Sequence, residues 1–289
     1  MISMYKKQRL LLGLVQKLKT KNRLDNLTLM KCMFLLAKKF DFQFSMYSFH
    51  PYKYGPYSSK LTSDMIYLAK KGYLKVEDLN KSSRIKGITN AGINEALILN
   101  YVDLYLDDVL DKYSDLDSLI AYVYDNYSDY TIRSEWKSYS HKTELPSEPI
   151  VILLGYEGID IDEFLHKLVQ ENVKVIIDVR ANARSMKYNF NKKRLASFLS
   201  HLNIQYRHRP DLGIPSSKRK GLEKKADYED LFDDYRKSLS ARKEGLSFIS
   251  QIAENNRIAI LCFEKDNEYC HRREIGLYLM EKGYEVKAI

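Results

Sequence analysis

Residues 147–289 alternate short, continuously apolar runs with amphipathic segments, and this pattern constrains the fold more than any other feature of the chain. The runs "PIVILLG", "VKVIIDVR" and "RIAILCF" predict buried strands, and segments such as "DIDEFLHKLVQEN" carry apolar residues at helical spacing. Buried strands that alternate with helices are typical of a parallel sheet covered on both faces. We therefore predict a doubly wound, Rossmann-like α/β domain over residues 150–289.

Residues 1–140 have a different pattern. Two segments with helical apolar spacing are followed by a third helix, which Ser58 or Ser59 would cap and Gly72 would end. The runs "YLKVE" and "RIKGIT" then predict two strands around the polar turn "DLNKSS". This order favours a mainly α-helical, winged helix-turn-helix domain, with two more helices from the acidic tract that follows. A polar segment with two prolines, residues 141–149, is the predicted linker between the domains.

The charge of the chain is unevenly distributed. Residues 1–90 contain 18 Lys and Arg against 5 Asp and Glu, whereas residues 91–150 contain 4 against 12. A charge run is commonly just a solvated surface, but a basic block confined to one domain also fits polyanion binding. We expect DNA binding that weakens steeply with salt, and a protein partner is the alternative for this half. The predicted DNA contacts are Lys60, Lys70, Lys71, Arg84 and Lys86.

Composition narrows the class of protein. The chain is 45% hydrophobic and 29% charged, and its apolar runs are all shorter than a membrane span requires. Cys32, Cys262 and Cys270 are too few for a disulfide framework in 289 residues. These features predict a cytoplasmic protein without a membrane partner, and they leave homodimer formation open.

Polar residues follow four of the predicted strands, and in such folds ligands bind at the carboxyl ends of the strands. Arginine forks bind phosphate bidentately, and an acid among arginines stays ionised, so the pattern predicts an anionic, nucleotide-like ligand and a general base. Glycines 155, 158 and 213 would let the backbone approach that ligand. The candidate ligand-binding residues are Tyr156, Gly158, Arg180, Arg184, His208, Arg209, Gly213 and Arg272. The candidate catalytic residues are Glu157, Asp178, Glu264, Cys270 and His271.

The segment "LCFEKDNEYCHRREI" leaves several alternatives open. A metal site is disfavoured because seven residues separate Cys262 from Cys270 and no fourth ligand is evident, unless His208 is recruited. Neither a metal nor a cofactor is therefore predicted, and "GYEG" does not match a dinucleotide fingerprint. Cys270 would be activated in the first turn of a helix that begins near Tyr269, or it is simply buried.

His271 and Arg272 are placed at a predicted helix N-terminus, where cations are unfavourable unless an anion accompanies them. We expect them to face a phosphate, with an internal acid such as Asp178 or Glu264 as the alternative.

Both halves resemble known families. The motifs "LGYEG", "FLHKLVQENVKVIIDVRANARS", "NKKRLASFLSHLNIQYRHRPDLG", "DYEDLFDDY" and "LCFEKDNEYCHRREI" resemble, in order and spacing, the domain-of-unknown-function family number 488. The resemblance implies the fold and the edge that carries the site, but no reaction. It departs at residues 181–183, where the family usually has a proline. The runs "YKYGPYSSKL" and "LIAYVYDNYSDYTIRSEW" resemble winged-helix modules related to the Panacea antitoxin-like domain.

Two functional hypotheses follow. In the first, the basic domain binds DNA and the α/β domain hydrolyses a glycosidic or phosphoester bond of a nucleotide unit, in prokaryotic genome maintenance, stress or phage defence. In the second, the protein is a transcriptional regulator or sensor without enzymatic activity, and the same pocket binds a nucleotide-like anion that changes DNA affinity. The number of acids near the pocket favours the enzyme.

Overall fold

The computed structural model describes residues 4–44, 46–78, 82–136, 144–219, 221–222 and 224–289, without the side chains of 41–44, 78, 82 and 83. Its contacts divide the chain into two compact units, Met1–Thr143 and Glu144–Ile289. We call them the N-terminal unit and the C-terminal unit. Residues 79–81 of the predicted turn "DLNKSS" and residues 141–143 of the predicted linker lie outside the described residues.

The N-terminal unit is mainly helical and contains two short hairpins. Its elements are α1 (Lys6–Thr20), α2 (Asn26–Phe44), β1 (His50–Tyr52), β2 (Gly55–Tyr57), α3 (Ser59–Lys70), β3 (Leu74–Asp78), β4 (Ser82–Ile88), α4 (Asn90–Glu95), α5 (Asn100–Lys112) and α6 (Leu116–Asn126). The Ser58 side chain caps α3 by accepting a hydrogen bond from the Leu61 N–H, as the sequence predicts.

The hairpin of β1 and β2 was not predicted. Pro51 lies opposite Pro56 in this antiparallel pair, and Tyr52 lies opposite Gly55. Proline and glycine are depleted in strands, so the sequence pattern indicated a break in the chain instead. Gly55 adopts a φ of +88°, which glycine tolerates best, and this allows the tight turn that closes the hairpin.

Part of the basic charge is neutralised within the N-terminal unit. Lys17 of α1 lies 2.5 Å from Asp103 and 2.9 Å from Asp107 of α5, and Lys21 lies 2.9 Å from Asp111. The acidic tract therefore covers one basic face of α1. Lys17 and Lys21 are thus less available to a polyanion.

The C-terminal unit is a five-stranded parallel sheet with flanking helices, which confirms the predicted Rossmann-like α/β fold. Its elements are β5 (Ile150–Gly155), α7 (Ile161–Gln170), β6 (Val175–Asp178), α8 (Lys192–His201), β7 (Gln205–His208), α9 (Lys225–Leu239), α10 (Lys243–Ala253), β8 (Arg257–Cys262), α11 (Arg272–Glu281) and β9 (Val286–Ala288). The strand order is β7-β6-β8-β5-β9.

The register of the sheet brings the strand ends together. Every residue of β5, β6 and β8 is buried, as expected for strands that are covered on both faces. Gly155 pairs with Cys262 across β5 and β8, and Asp178 pairs with His208 across β6 and β7. Because all five strands run in parallel, the loops that follow these residues meet at one edge. Within the described ranges, each helix is too short or too polar to cross a membrane.

Lys31 in α2 contacts the tyrosine-rich turn at residues 52–57 and helps to fix its conformation. Its side chain is buried, its Nζ donates a hydrogen bond to the Tyr54 carbonyl oxygen, and it lies 5.7 Å from the centre of the Tyr124 ring. A Cβ atom on Gly55 would lie only 2.6 Å from the Nζ. Burial lowers the pKa of Lys31 to about 7 because the ammonium form loses its hydration.

The first prediction concerns the variant Lys31→Met. Between pH 7 and 10.5 the unfolded wild-type chain keeps a proton on Lys31 that the folded chain has released, so wild-type stability should rise with pH relative to the variant. The expected slope is at most about 1.4 kcal/mol per pH unit. Urea unfolding monitored by the fluorescence of Trp136, which packs 5.5 Å from the Tyr54 ring, measures it.

The exposed residue Lys38 supplies the matched control, Lys38→Met, whose stability should keep the pH dependence of the wild type. If the free energy of unfolding changes with pH in the same way for the wild type and Lys31→Met, the pKa of Lys31 is not lowered by burial as described.

Candidate functional site

A cavity of about 320 Å³ lies at the carboxyl ends of β5, β6 and β8. Tyr156 follows β5, residues 180–187 follow β6, residues 214–219 follow β7, and Cys262 and Phe263 come at the end of β8. Four of its lining residues are cations, and no Asp or Glu lines it among the residues that the structure describes. The cations are Arg180, Arg184, Lys187 and Arg219. This electrostatic environment favours an anionic ligand.

Asp178 holds Arg180 in place at the end of β6. The Arg180 Nε lies 2.9 Å from Oδ1 of Asp178 and the Nη2 lies 2.6 Å from Oδ2, a bidentate pair. Oδ1 also accepts the Arg180 N–H, and Oδ2 accepts the hydroxyl of Tyr206. Asp178 is fully buried, so its carboxylate is satisfied by the protein alone. The geometry therefore makes it a positioning residue for Arg180, and its predicted catalytic role stays a prediction.

Tyr156 supports the same arginine from the β5 side. Its ring stacks on Phe190 with centroids 4.2 Å apart and an interplanar angle of 9°. The Arg180 Nη1 donates a hydrogen bond of 2.8 Å to the Tyr156 hydroxyl oxygen and another of 3.1 Å to the Phe190 carbonyl oxygen. Arg180 is thus fixed at the cavity wall in one orientation.

Cys262 lies at the centre of a cluster of reactive groups. Its Sγ lies 3.1 Å from Oε2 of Glu264 and 3.8 Å from Nδ1 of His271. The Cys270 Sγ lies 3.9 Å from the same Nδ1. Arg219 donates hydrogen bonds to Oε1 of Glu264 and, at 2.8 Å, to Nδ1 of His271. We call these five residues the thiol cluster.

The two thiols of the cluster have opposite pKa shifts. A hydrogen bond with Cys270 lowers the pKa of the Cys262 thiol well below its usual value, with help from His271 and Glu264, although burial opposes the shift. Burial and the neighbouring Cys262 raise the pKa of the Cys270 thiol. Cys262 is therefore the thiol of the pair that loses its proton more readily, and the thiolate is the nucleophilic form of cysteine.

Glu264 responds to the same charge. Burial raises the pKa of its carboxyl, and the negative Cys262 raises it further, while Arg219 lowers it. The Cys262 Sγ donates a hydrogen bond to Oε2 of Glu264, and Arg219 donates one to Oε1, so both oxygens of the carboxyl group are bound within the cluster.

Cys270 and His271 are adjacent in the sequence, and the Cys270 Sγ lies 3.9 Å from Nδ1 of His271. The backbone allows this contact because the helix α11 begins only at Arg272 and Cys270 is extended, with φ −134° and ψ 131°. The expectation that Cys270 lies in the first helical turn is therefore wrong. The Nε2 of His271 lies 3.3 Å from the Val179 carbonyl oxygen, an arrangement that leaves Nδ1 facing the thiols.

Cys262, Cys270 and His271 are the group best arranged to bind a metal. Their ligand atoms all lie within 4.8 Å of one another, although their sequence spacing disfavoured a metal site. However, the Arg219 guanidinium lies against Nδ1 of His271, where a metal ion would have to bind. A cation held by the protein itself therefore balances the thiolate, and we assign no metal to the cluster.

Arg272 is fully buried and forms no ion pair with an acid among the residues that the structure describes. Its guanidinium donates to the carbonyl oxygens of Glu264 and Lys265, at 2.5 and 2.9 Å. These bonds hold the loop after β8 against α11. Its predicted contact with a phosphate stays a prediction.

Two of the predicted glycines approach protein rather than an open ligand site. A Cβ atom on Gly155 would lie 1.9 Å from the Glu264 carbonyl oxygen, and one on Gly213 would lie 2.2 Å from the Ala181 nitrogen. Both glycines allow neighbouring loops to pack closely at the edge of the sheet. Gly158 adopts a φ of +80° with open space around the position of a Cβ atom.

Three of the remaining predicted residues, Glu157, His208 and Arg209, lie around the cavity rather than in its wall. Glu157 is exposed and accepts the Lys265 N–H, and Arg209 forms a bidentate pair with Asp211. His208 lines a neighbouring groove and lies 2.8 Å from the Arg180 carbonyl oxygen. Arg184 is exposed at the rim shared by the cavity and the groove.

Sequence reasoning missed Cys262 and Lys187 and gave little weight to Arg219. Cys262 ends an apolar run and looks like an ordinary strand residue. Its only signal is its position at the carboxyl end of a buried strand, followed two residues later by Glu264.

The second prediction concerns alkylation by iodoacetamide. Cys262 should react first and at a lower pH than a normal thiol, because only its pKa is lowered among the three cysteines and only Cys262 lines the cavity. Peptide mapping by mass spectrometry over a pH series measures the rates. Cys270→Ala should move the reaction of Cys262 to higher pH, whereas Cys32→Ala should not. Equal rates at all three cysteines would refute the assignment.

The C-terminal unit is similar to a known family. A family model described as domain of unknown function DUF488 matches residues 160–279, which confirms the predicted resemblance over that segment. No curated protein and no solved structure matches the chain. The predicted Panacea-like character of the N-terminal unit stays a prediction.

Proposed function

We propose that the protein is a DNA-binding hydrolase whose C-terminal unit cleaves a phosphoester bond of a nucleotide unit. The observation that carries this proposal is a cysteine of lowered pKa at the wall of a cavity lined by four cations. A thiolate is a nucleophile, and arginines stabilise the charge of a transferring phosphoryl group. The free cysteines also fit a cytoplasmic location.

The cavity favours a phosphoester over a glycosidic bond. Glycoside hydrolysis ordinarily uses two carboxylates that flank the scissile bond. No carboxylate lines the described wall of this cavity, and Asp178 is saturated by Arg180 and Tyr206. The four cations instead match the charge of a phosphate.

The proposed reaction has two steps. The Cys262 thiolate attacks phosphorus, the bond from phosphorus to the leaving oxygen breaks, and that oxygen takes a proton from a water molecule, which becomes hydroxide. A second water then attacks phosphorus, the S–P bond breaks, and inorganic phosphate and the thiolate are released, while the proton lost by this water neutralises the hydroxide. The hydrogen bond from Cys270 stabilises the thiolate, and Arg184 and Arg219 bind the phosphoryl oxygens.

In the N-terminal unit we propose a winged helix-turn-helix with α3 as the recognition helix and the hairpin of β3 and β4 as the wing. All five predicted DNA-binding residues are exposed. Lys60 lies 3.2 Å from Asp64, and Lys86 lies 3.1 Å from Glu77, an acid that also faces Arg84. Lys70 and Lys71 at the end of α3 form no ion pair with a described acid, so of the five they are the most available to DNA phosphates.

The third prediction tests the reaction. Cys262→Ser should lower phosphate release from 3′- or 5′-phosphorylated oligodeoxynucleotides and nucleoside monophosphates at least about a thousandfold, because an alcohol is a far weaker nucleophile here. Glu264→Gln, which keeps a hydrogen-bond donor, should retain more activity than Glu264→Ala. Cys32→Ser is the matched control and should retain the rate, with thermal melting checking its fold.

Three outcomes would count against the reaction. Unchanged turnover by Cys262→Ser would exclude the nucleophile. Activity lost in a chelator and restored by zinc would reassign the thiol cluster to a metal. No phosphate release from any substrate, together with a nucleotide that changes DNA affinity, would favour the sensor.

The fourth prediction tests DNA binding by the N-terminal unit. Lys70→Glu with Lys71→Glu should weaken binding to duplex DNA in the full chain. The loss of two phosphate contacts should also make the slope of log K against log salt less negative by about 1.8. Fluorescence anisotropy over a salt series measures both. The exposed pair Lys38→Glu with Lys39→Glu is the control of equal charge. Equal effects of the two double variants would contradict specific docking through α3.

A further inference from the structure

A second concave surface adjoins the cavity that holds Cys262. It encloses about 550 Å³ and is formed by residues 181–194 together with His208. We call it the basic groove. Ala181, Asn182 and Arg184 line both the groove and the cavity, so the two are continuous.

The basic groove is strongly cationic. Lys192, Lys193 and Arg194 come from the first turn of α8, and Arg184 comes from the loop after β6. None of the four forms an ion pair with a carboxylate among the residues that the structure describes, and no Asp or Glu lines the groove there. The Lys192 Nζ lies 3.3 Å from Nδ1 of His208. A chain of negative charges would complement this surface.

The groove also presents an exposed aromatic ring. The Tyr188 side chain is 64% exposed, and the Arg194 guanidinium lies 4.5 Å from the centre of its ring. Met186, on the same loop, is fully exposed. Surfaces that combine a cationic track with exposed aromatic rings bind single-stranded nucleic acid, because phosphates contact the cations while unpaired bases stack on the rings.

The geometry favours a single strand over a duplex. Stacking on Tyr188 requires an unpaired base, whereas the bases of a duplex are already stacked on each other. A groove that continues into the cavity can also direct a phosphate of one strand to Cys262.

We infer that the basic groove binds single-stranded DNA, with Tyr188 as a stacking platform and Arg184, Lys192, Lys193 and Arg194 as phosphate contacts. This inference deepens the proposed function by naming its substrate as a single strand that enters the cavity from the groove. The binding claim stands on the groove alone, and only the delivery of a phosphate rests on the proposed hydrolysis.

The fifth prediction measures binding of labelled oligo(dT) to the full-length Cys262→Ala protein by fluorescence anisotropy. Charge reversal at Lys192, Lys193 and Arg194 should weaken binding at least about tenfold. It should also make the slope of log K against log salt less negative by about 2, because each lost phosphate contact changes that slope by about 0.7 for a single strand. Reversal at the exposed Lys237, Lys243 and Lys282 is the matched control in the same unit and should change affinity far less.

A second pair of variants tests the aromatic platform. Tyr188→Ala should weaken binding at least about fivefold, while Tyr188→Phe should retain it, because only the ring is needed for stacking. Ultraviolet crosslinking of oligo(dT) followed by peptide mapping should place the adduct in residues 184–194.

The outcomes separate this inference from the proposed function. Lost binding in the groove variants supports the groove even where no phosphate is released. If the groove substitutions, made in a protein that keeps Cys262, abolish turnover of oligonucleotides but not of nucleoside monophosphates, this supports delivery of the strand to Cys262. Binding that is equal in the groove and control variants overturns the inference, as does a preference of the groove for duplex or for oligo(U) over oligo(dT).

Discussion

The lowered pKa of Cys262 is the feature on which the rest of the candidate site depends. A thiolate within a buried part of a protein is costly unless neighbouring donors and cations stabilise it. Cys270 lowers its pKa through a hydrogen bond, and Glu264 and His271 assist. Arg219 supplies the positive charge by bridging Glu264 and His271. The cluster therefore favours a charged nucleophile at the edge of the cavity and a neutral thiol behind it.

The arginines around the cavity are held by different means, and this difference bears on their roles. Arg180 is fixed by Asp178, Tyr156 and the Phe190 carbonyl group, so its position hardly depends on a ligand. Arg272 is committed to the carbonyl oxygens of the loop after β8. Arg184 is exposed at the junction of the cavity and the basic groove. The fixed arginines shape the site, and Arg184 is the cation most available to an incoming phosphate.

Much of the C-terminal unit could be predicted from the sequence because strands buried on both faces leave continuous apolar runs. The same rule placed Asp178, His208 and Glu264 near one edge. It could not show that Cys262 and Cys270 meet at His271, since this depends on where α11 begins and on the extended backbone before it. The role of Arg219 also depends on the conformation of the loop between β7 and α9, whose sequence has no apolar periodicity from which that conformation could be predicted. In the N-terminal unit, the hairpin of β1 and β2 was missed because its prolines and glycine resemble a chain break.

The most direct test of the account is to trap the covalent intermediate. The wild-type protein is mixed with a phosphorylated oligodeoxynucleotide, quenched in acid, and analysed by intact-protein and peptide mass spectrometry. The account predicts an adduct with the mass of one phosphoryl group on the peptide that contains Cys262, and no such adduct in Cys262→Ser. Turnover without this adduct, or an adduct on another residue, would contradict it.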